Sequence, residues 1–133
     1  DTELILELTD CHTYYTQRLC HEIFASGNKT IKTNTILKTL NNIITDNENI
    51  YFQYRNLITP IQWNLLKAIA IEEKIYQPYA QKFINKHSLG TSANVKRGLK
   101  ALVDKEMVYH HVGIENPYYE TYDKFLMRWM QHK

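Results

Sequence analysis

Apolar side chains recur at helical spacing in the first half of the chain. Tyr15, Leu19 and Ile23 are four residues apart, so they share one face of an expected helix. Thr9 is the candidate N-cap, because its hydroxyl can accept a hydrogen bond from the first turn. Ser26-Gly27-Asn28 is typical of a helix end.

A second helix has a more regular apolar face. Its apolar positions follow the spacing i, i+1, i+4, i+7 and i+8, and they are Ile36, Leu37, Leu40, Ile43 and Ile44. Thr33 is its candidate N-cap, and Asp46-Asn47 ends it. A short third helix, about 48–55, follows. Its expected shared face consists of Ile50, Tyr54 and Leu57.

The second half opens with Thr59-Pro60, a residue pair typical of a helix start. The expected buried stripe of this helix is Ile61, Leu65, Leu66 and Ile69. Tyr76-Gln77-Pro78 interrupts the chain, since a residue that precedes proline avoids the helical region. A helix over about 79–86, with Phe83 and Ile84 buried, and the turn Ser88-Leu89-Gly90 come next.

A third helix of this half begins at Thr91 or Ser92 and ends near Lys105. Its expected inner face is Val95, Leu99, Leu102 and Val103. The apolar period then changes to that of strands, over 107–112 and 118–122, joined by a loop of about five residues. Asp123 is the candidate N-cap of a last helix, whose apolar residues are Phe125, Leu126, Trp129 and Met130.

This order of elements predicts a mainly α protein with one small β-hairpin. Residues 1–57 form an N-terminal helical subdomain, and residues 58–133 form a winged helix-turn-helix domain. The short turn before the third helix lets two helices cross steeply, as helix-turn-helix units require.

The charged residues are divided unevenly between the two halves of the chain. Residues 1–58 hold five Lys and Arg against seven Asp and Glu, whereas residues 59–133 hold eleven against seven. A polyanion would therefore bind the second half.

We expect no membrane partner, because no apolar run approaches the roughly 20 residues of a span. With no signal segment and no feasible bridge between Cys11 and Cys20, we expect a cytoplasmic location.

Three segments carry a resemblance to a known family, and they are 57–70, 88–102 and 119–130. They resemble the winged helix that follows the lid in archaeal-type P-loop ATPases of the AAA+/STAND group. Residues 5–46 resemble that family's helical lid. Together with the start at Asp1, the resemblance implies a C-terminal fragment of an ATPase whose missing core binds ATP and magnesium.

The sequence departs from the pattern of this family at the motifs that would contact a nucleotide. The lid usually carries a Gly-x-Pro element, but here Cys11 and Thr13 replace the glycine and the proline. Gly27-Asn28-Lys29-Thr30 has only the outline of a P-loop end, because it follows a helix and lacks the required glycine. We therefore expect no catalytic site and no cofactor in this stretch itself.

The third helix of the second half carries the candidate site for duplex DNA. Its expected outer residues are Thr91, Ser92, Asn94, Lys96, Arg97 and Lys100. Asn pairs with adenine and Arg or Lys with guanine, whereas hydroxyls at a helix start suit phosphate. The Lys86 and Lys105 side chains extend this basic surface. The wing loop 113–117 instead contains Glu115 and no Lys or Arg.

Two alternatives remain open from the sequence. In one, the winged helix is a regulatory module that packs on the ATPase core of the same protein. In the other, the chain is a stand-alone winged-helix transcription regulator. Metal binding is not expected, because neighbouring residues of a strand, here His110 and His111, point to opposite faces.

Overall fold

The computed structural model describes residues 2–25, 27 and 32–132. Its elements, in chain order, are α1 (Thr2–Leu8), α2 (Thr13–Ala25), α3 (Thr33–Asp46), α4 (Glu48–Tyr54), α5 (Pro60–Glu72), α6 (Gln81–Lys86), α7 (Ser92–Asp104), β1 (Val108–His111), β2 (Tyr118–Thr121) and α8 (Lys124–Gln131). This confirms the mainly α class with one small antiparallel sheet. The chain divides into two compact units, one up to Ile50 and one from Tyr51. The boundary after residue 57 stays a prediction.

The first unit is built from α1, α2 and α3, whose apolar faces pack together. Its buried apolar residues are Ile5, Tyr15, Leu19, Ile23, Ile36, Leu40, Ile43 and Ile44. The helical stripes expected on α2 and α3 are therefore confirmed, except that Leu37 is 45% exposed. The burial of Leu19 and Ile36 is complete, which makes them the centre of this small core.

Thr9 is not an N-cap, and the expectation for it was wrong. It follows α1, a helix that the apolar pattern did not predict, and its side chain is fully buried. Its hydroxyl donates to the Ile5 carbonyl at 2.8 Å and lies 2.7 Å from the Thr16 hydroxyl. Cys11 lies in the connection to α2, with a φ of 57°, so it does not share a helix with Cys20.

Two further expectations about helix ends and faces need correction. Thr33 is the first residue of α3, and the N-cap is Lys32, whose side chain makes no capping hydrogen bond. In α4 the buried residue is Tyr51, whereas Ile50 and Leu57 are exposed.

Within the segment that was expected to end α2, Gly27 has a φ of 77°. The rest of that stop and of the P-loop-like segment, residues 26 and 28–30, lies outside the described residues.

The second unit has the element order of a winged helix. The hairpin β1–β2 pairs Val108 with Thr121 and His111 with Tyr118. Ile75, between α5 and α6, forms an antiparallel bridge with Tyr119 of this sheet. The Ile75 N–H donates to the Tyr119 carbonyl at 3.0 Å, and the Ile75 carbonyl accepts from the Tyr119 N–H at 2.9 Å. The sheet therefore ties the hairpin to the segment that precedes the helix-turn-helix.

The core of this unit centres on α5, which packs against α7 and α8. Leu65, Leu66 and Ile69 are buried as expected, whereas Ile61 is 53% exposed and was wrongly assigned to the stripe. Close packing of α5 on α7 depends on Gly98, since a Cβ there would lie 3.1 Å from Leu65 Cδ2. This contact fixes which face of α7 is turned away from the core.

Two expected N-caps are confirmed in this unit, namely Thr59 and Asp123, and α7 begins at Ser92 with Thr91 as its N-cap. Thr59 forms a reciprocal capping box, in which its hydroxyl accepts from the Gln62 N–H and the Gln62 side chain accepts from the Thr59 N–H, both at 3.1 Å.

Thr59→Ala should lower the free energy of unfolding by about 1 kcal/mol, because it removes this cap. Chemical denaturation measures the loss. Thr33→Ala, which removes no capping bond, should change it by less than about 0.5 kcal/mol, and an equal loss in both variants would contradict the assignment.

Among the described residues, no helix has both the length and the apolar character that a bilayer span requires.

Candidate nucleic-acid interface

The turn between α6 and α7 sets the direction of α7. Ser88 and Gly90 have φ values of 53° and 86°, in the left-handed region, which Gly90 adopts without steric cost. Leu89 is buried between them, and its N–H donates to the Ile84 carbonyl at 2.9 Å. This anchored turn ends at Thr91, whose hydroxyl accepts from the Asn94 N–H at 3.2 Å. The expected helix-turn-helix connection is therefore present.

The helix α7 has one buried face and one polar face. The buried residues are Val95, Gly98, Leu99 and Leu102, whereas Val103 is half-buried. Because side chains three and four residues apart share a helix face, the residues between these positions turn toward solvent. The structure brings the exposed cations Lys96, Arg97 and Lys100 together on this outer face.

The structure places the six candidate residues differently with respect to solvent. Five are exposed, and they are Thr91, Ser92, Lys96, Arg97 and Lys100. Asn94 is half-buried, and its side-chain oxygen accepts a hydrogen bond from the Arg97 guanidinium. A base contact through the Asn94 side-chain oxygen would require this bond to open.

The two lysines that were expected to extend the basic surface are both engaged. The Lys86 ammonium lies 2.8 Å from the Glu72 carboxylate, which also lies 3.0 Å from His87 Nε2. Lys105 donates to the Leu57 carbonyl at 2.6 Å. The Lys86 charge is thus compensated, whereas Lys105, which donates to a neutral carbonyl, keeps its charge.

The Glu72 cluster gives the second unit an acid-sensitive contact. Hydrogen bonds from Lys86 and then His87 hold the pKa of Glu72 below its usual value, against the opposing effect of burial. A carboxyl whose pKa is lower in the folded state stabilises the fold above its unfolded pKa, and this stability is lost as the pH falls through the folded pKa. Stability should therefore fall from about pH 5 downward, and Glu72→Gln should flatten that part of a urea-unfolding profile. An unchanged profile in the variant would contradict the assignment.

The wing is the loop 112–117, and all six of its residues are exposed. It contains Glu115 and no Lys or Arg, and the large apolar side chains of Val112 and Ile114 are 66% and 50% exposed. Such a wing offers no cation to a phosphate backbone, so it adds no electrostatic attraction for nucleic acid to that of α7.

A groove between α7 and the sheet was not expected from the sequence. It measures about 400 Å³, and its aromatic lining consists of Tyr79, His110 and Tyr119. His110 and Tyr119 are cross-strand partners whose rings stack at 3.9 Å and 10°. Burial, followed by the interaction with Tyr79, raises the pKa of Tyr119, so its phenol stays neutral at physiological pH. The pairing register could have indicated the stack, but the groove needs the tertiary fold.

The histidines and cysteines do not converge. His110 stacks on Tyr119, whereas His111 lies 2.8 Å from the Glu120 carboxylate. Cys11 and Cys20 are free thiols. Within residues 2–25, 27 and 32–132, no group of three or more His, Cys, Asp or Glu is placed to hold a metal ion.

Comparison with known proteins agrees with the element order of the second unit. The family described as a probable winged helix domain matches residues 49–132, more than half of the chain. No curated protein matches the chain, and no solved structure does. A winged helix domain is generally a DNA-binding or regulatory unit. The chain belongs to the probable winged helix domain family.

Proposed function

We propose that the second unit binds duplex DNA through the outer face of α7. The observation that carries this proposal is the cluster of three exposed cations on α7 directly after a helix-turn-helix turn. In helix-turn-helix proteins the second helix of the unit lies in the major groove, with its first turns nearest the base edges. Lys96, Arg97 and Lys100 occupy the second and third turns of α7.

The six candidate residues divide by the chemistry they offer. Thr91 and Ser92 stand at the helix start, where hydroxyls and free N–H groups suit a phosphate. Arg97 can present two N–H donors to guanine, and Asn94 can read adenine once it is released from Arg97. Lys96 and Lys100 add charge that favours any sequence. This set predicts salt-sensitive binding with modest sequence preference.

Fluorescence anisotropy tests the proposal with the whole chain and a labelled random duplex of about 20 base pairs. If Lys96, Arg97 and Lys100 each neutralise one phosphate, log K against log salt should have a slope of about −2.7 between roughly 50 and 200 mM. Absence of binding at the lowest salt, with circular dichroism confirming the fold, would refute the proposal.

We further propose that this stretch is a non-catalytic C-terminal part of a P-loop ATPase, in which ATP and magnesium bind to the core. The support is the resemblance of 57–70, 88–102 and 119–130 to that family. ATP hydrolysis by the full-length protein, compared with the present chain, tests the idea. Hydrolysis by neither would refute it.

A regulatory role, in which the second unit packs on that core, is the second candidate. A specific surface favours it, a depression of about 300 Å³ whose aromatic and cationic lining includes Phe52, Trp63, Trp129, Arg55 and Lys67. Arg55 lies 5.3 Å from the Trp63 ring centre, so an acidic and apolar segment would suit it. Addition of the isolated core should then shift tryptophan emission, and no shift at saturating core would exclude this candidate.

A further inference from the structure

The groove between α7 and the sheet combines flat aromatic rings with positive charge at one end. Tyr79, His110 and Tyr119 supply the rings, and Lys96 and Lys100 approach from α7. Asp104, one helical turn beyond Lys100, also lines the groove. The charge is therefore graded along the groove, from cationic beside Lys96 to acidic beside Asp104.

The groove continues past the aromatic rings. A second depression of about 460 Å³ shares Tyr79, His110 and Tyr119, and it extends to Tyr76, Pro78 and Pro117. The two depressions therefore lie on either side of the same rings. Both fall within the size range of small-molecule sites, roughly 300–1,000 Å³, so each can hold a group as large as one nucleotide.

This chemistry does not match the backbone of a duplex. Phosphates and sugars need donors and charge, whereas the faces of paired bases are already stacked inside the helix. An unpaired nucleotide presents both a phosphate for the lysines and a base face for a ring. Stacking of bases on aromatic side chains beside a cationic groove is the usual way that proteins bind single strands.

We propose that this groove binds one or two unpaired DNA nucleotides that adjoin a duplex held by α7. The base stacks beside the His110–Tyr119 pair and Tyr79, its phosphate lies near Lys96 and Lys100, and Asp104 keeps phosphates from the far end. The placement beside a duplex rests on the proposed function, whereas the binding of an unpaired nucleotide does not.

Anisotropy with three labelled probes tests the groove. The probes are a blunt duplex, the same duplex with a single-stranded overhang of about three nucleotides, and an oligo(dT) of about twelve nucleotides. The overhang should raise affinity at least about fivefold over the blunt duplex. Equal affinity for the two duplexes would overturn the groove proposal and leave duplex binding intact. Binding of oligo(dT) without either duplex would refute duplex binding and the placement of the nucleotide beside a duplex, and binding of no probe would refute both proposals.

Two matched tyrosines localise the effect. Tyr79 lines the groove and is 44% exposed, whereas Tyr109 lies on the opposite face of β1 and is 49% exposed. Tyr79→Ala should abolish the preference for the overhang, Tyr79→Phe should keep it because the ring remains, and Tyr109→Ala should keep it as well. An equal loss in Tyr79→Ala and Tyr109→Ala, or an undiminished preference in folded Tyr79→Ala, would overturn the proposal.

Discussion

Lys96→Glu/Arg97→Glu should reduce the affinity for duplex DNA by about 2–4 kcal/mol, or roughly 30- to 1,000-fold. Both side chains are exposed on α7, so the change removes two cations and places two anions on the same surface. If both cations contact phosphate, the slope of log K against log salt should also become shallower by about 1.8. Anisotropy titrations at several salt concentrations measure the affinity and the slope together.

The matched control carries the same change of charge elsewhere. Lys32 and Lys38 are exposed in the first unit, so Lys32→Glu/Lys38→Glu alters net charge by the same amount without touching α7. We expect at most a small loss in this control, because it leaves Lys96, Arg97 and Lys100 of α7 in place. Equal losses in the two double variants would show that net charge, and not α7, governs binding.

Trp129→Ala should lower the free energy of unfolding by about 3–5 kcal/mol, as for other buried aromatic side chains. The Trp129 ring is 4% exposed, and it contacts three aromatic rings whose centres lie 5.3, 5.2 and 6.0 Å away. These rings belong to Tyr51, Phe52 and Trp63. Truncation would therefore open a cavity between α4, α5 and α8. Guanidinium denaturation followed by circular dichroism measures the loss.

Tyr122→Ala is the control for Trp129→Ala within the same unit. The Tyr122 side chain is 52% exposed, and surface substitutions usually change stability by less than about 0.5 kcal/mol. A loss at Trp129 no greater than at Tyr122 would contradict the assignment of Trp129 to the core.

Local signals that act within one helix were predictable from the sequence. The caps Thr59 and Asp123 and the hairpin depend on short-range chemistry, and the structure confirms them. Thr9 shows the limit of such signals, because the same hydroxyl can cap a helix or bond the carbonyl four residues back. The sequence does not decide between the two, and α1, with only Ile5 buried, leaves too weak a pattern.

The remaining features depend on contacts with other elements, which the spacing of apolar residues along one helix does not reveal. Leu37 and Ile61 fit their helical stripes, but the elements that the structure describes leave both side chains exposed. The cations of α7 could be found because they share one helix. The aromatic groove could not, because Tyr79, His110 and Tyr119 come from three separate segments.

An amide NMR titration of the whole labelled chain with duplex DNA tests the central claim most directly. The account predicts that the largest shifts fall on the amides of residues 91–100, with smaller shifts on the sheet. Shifts confined to α4 and α5, or none with the duplex in excess, would contradict the assignment of α7 as the DNA-binding surface.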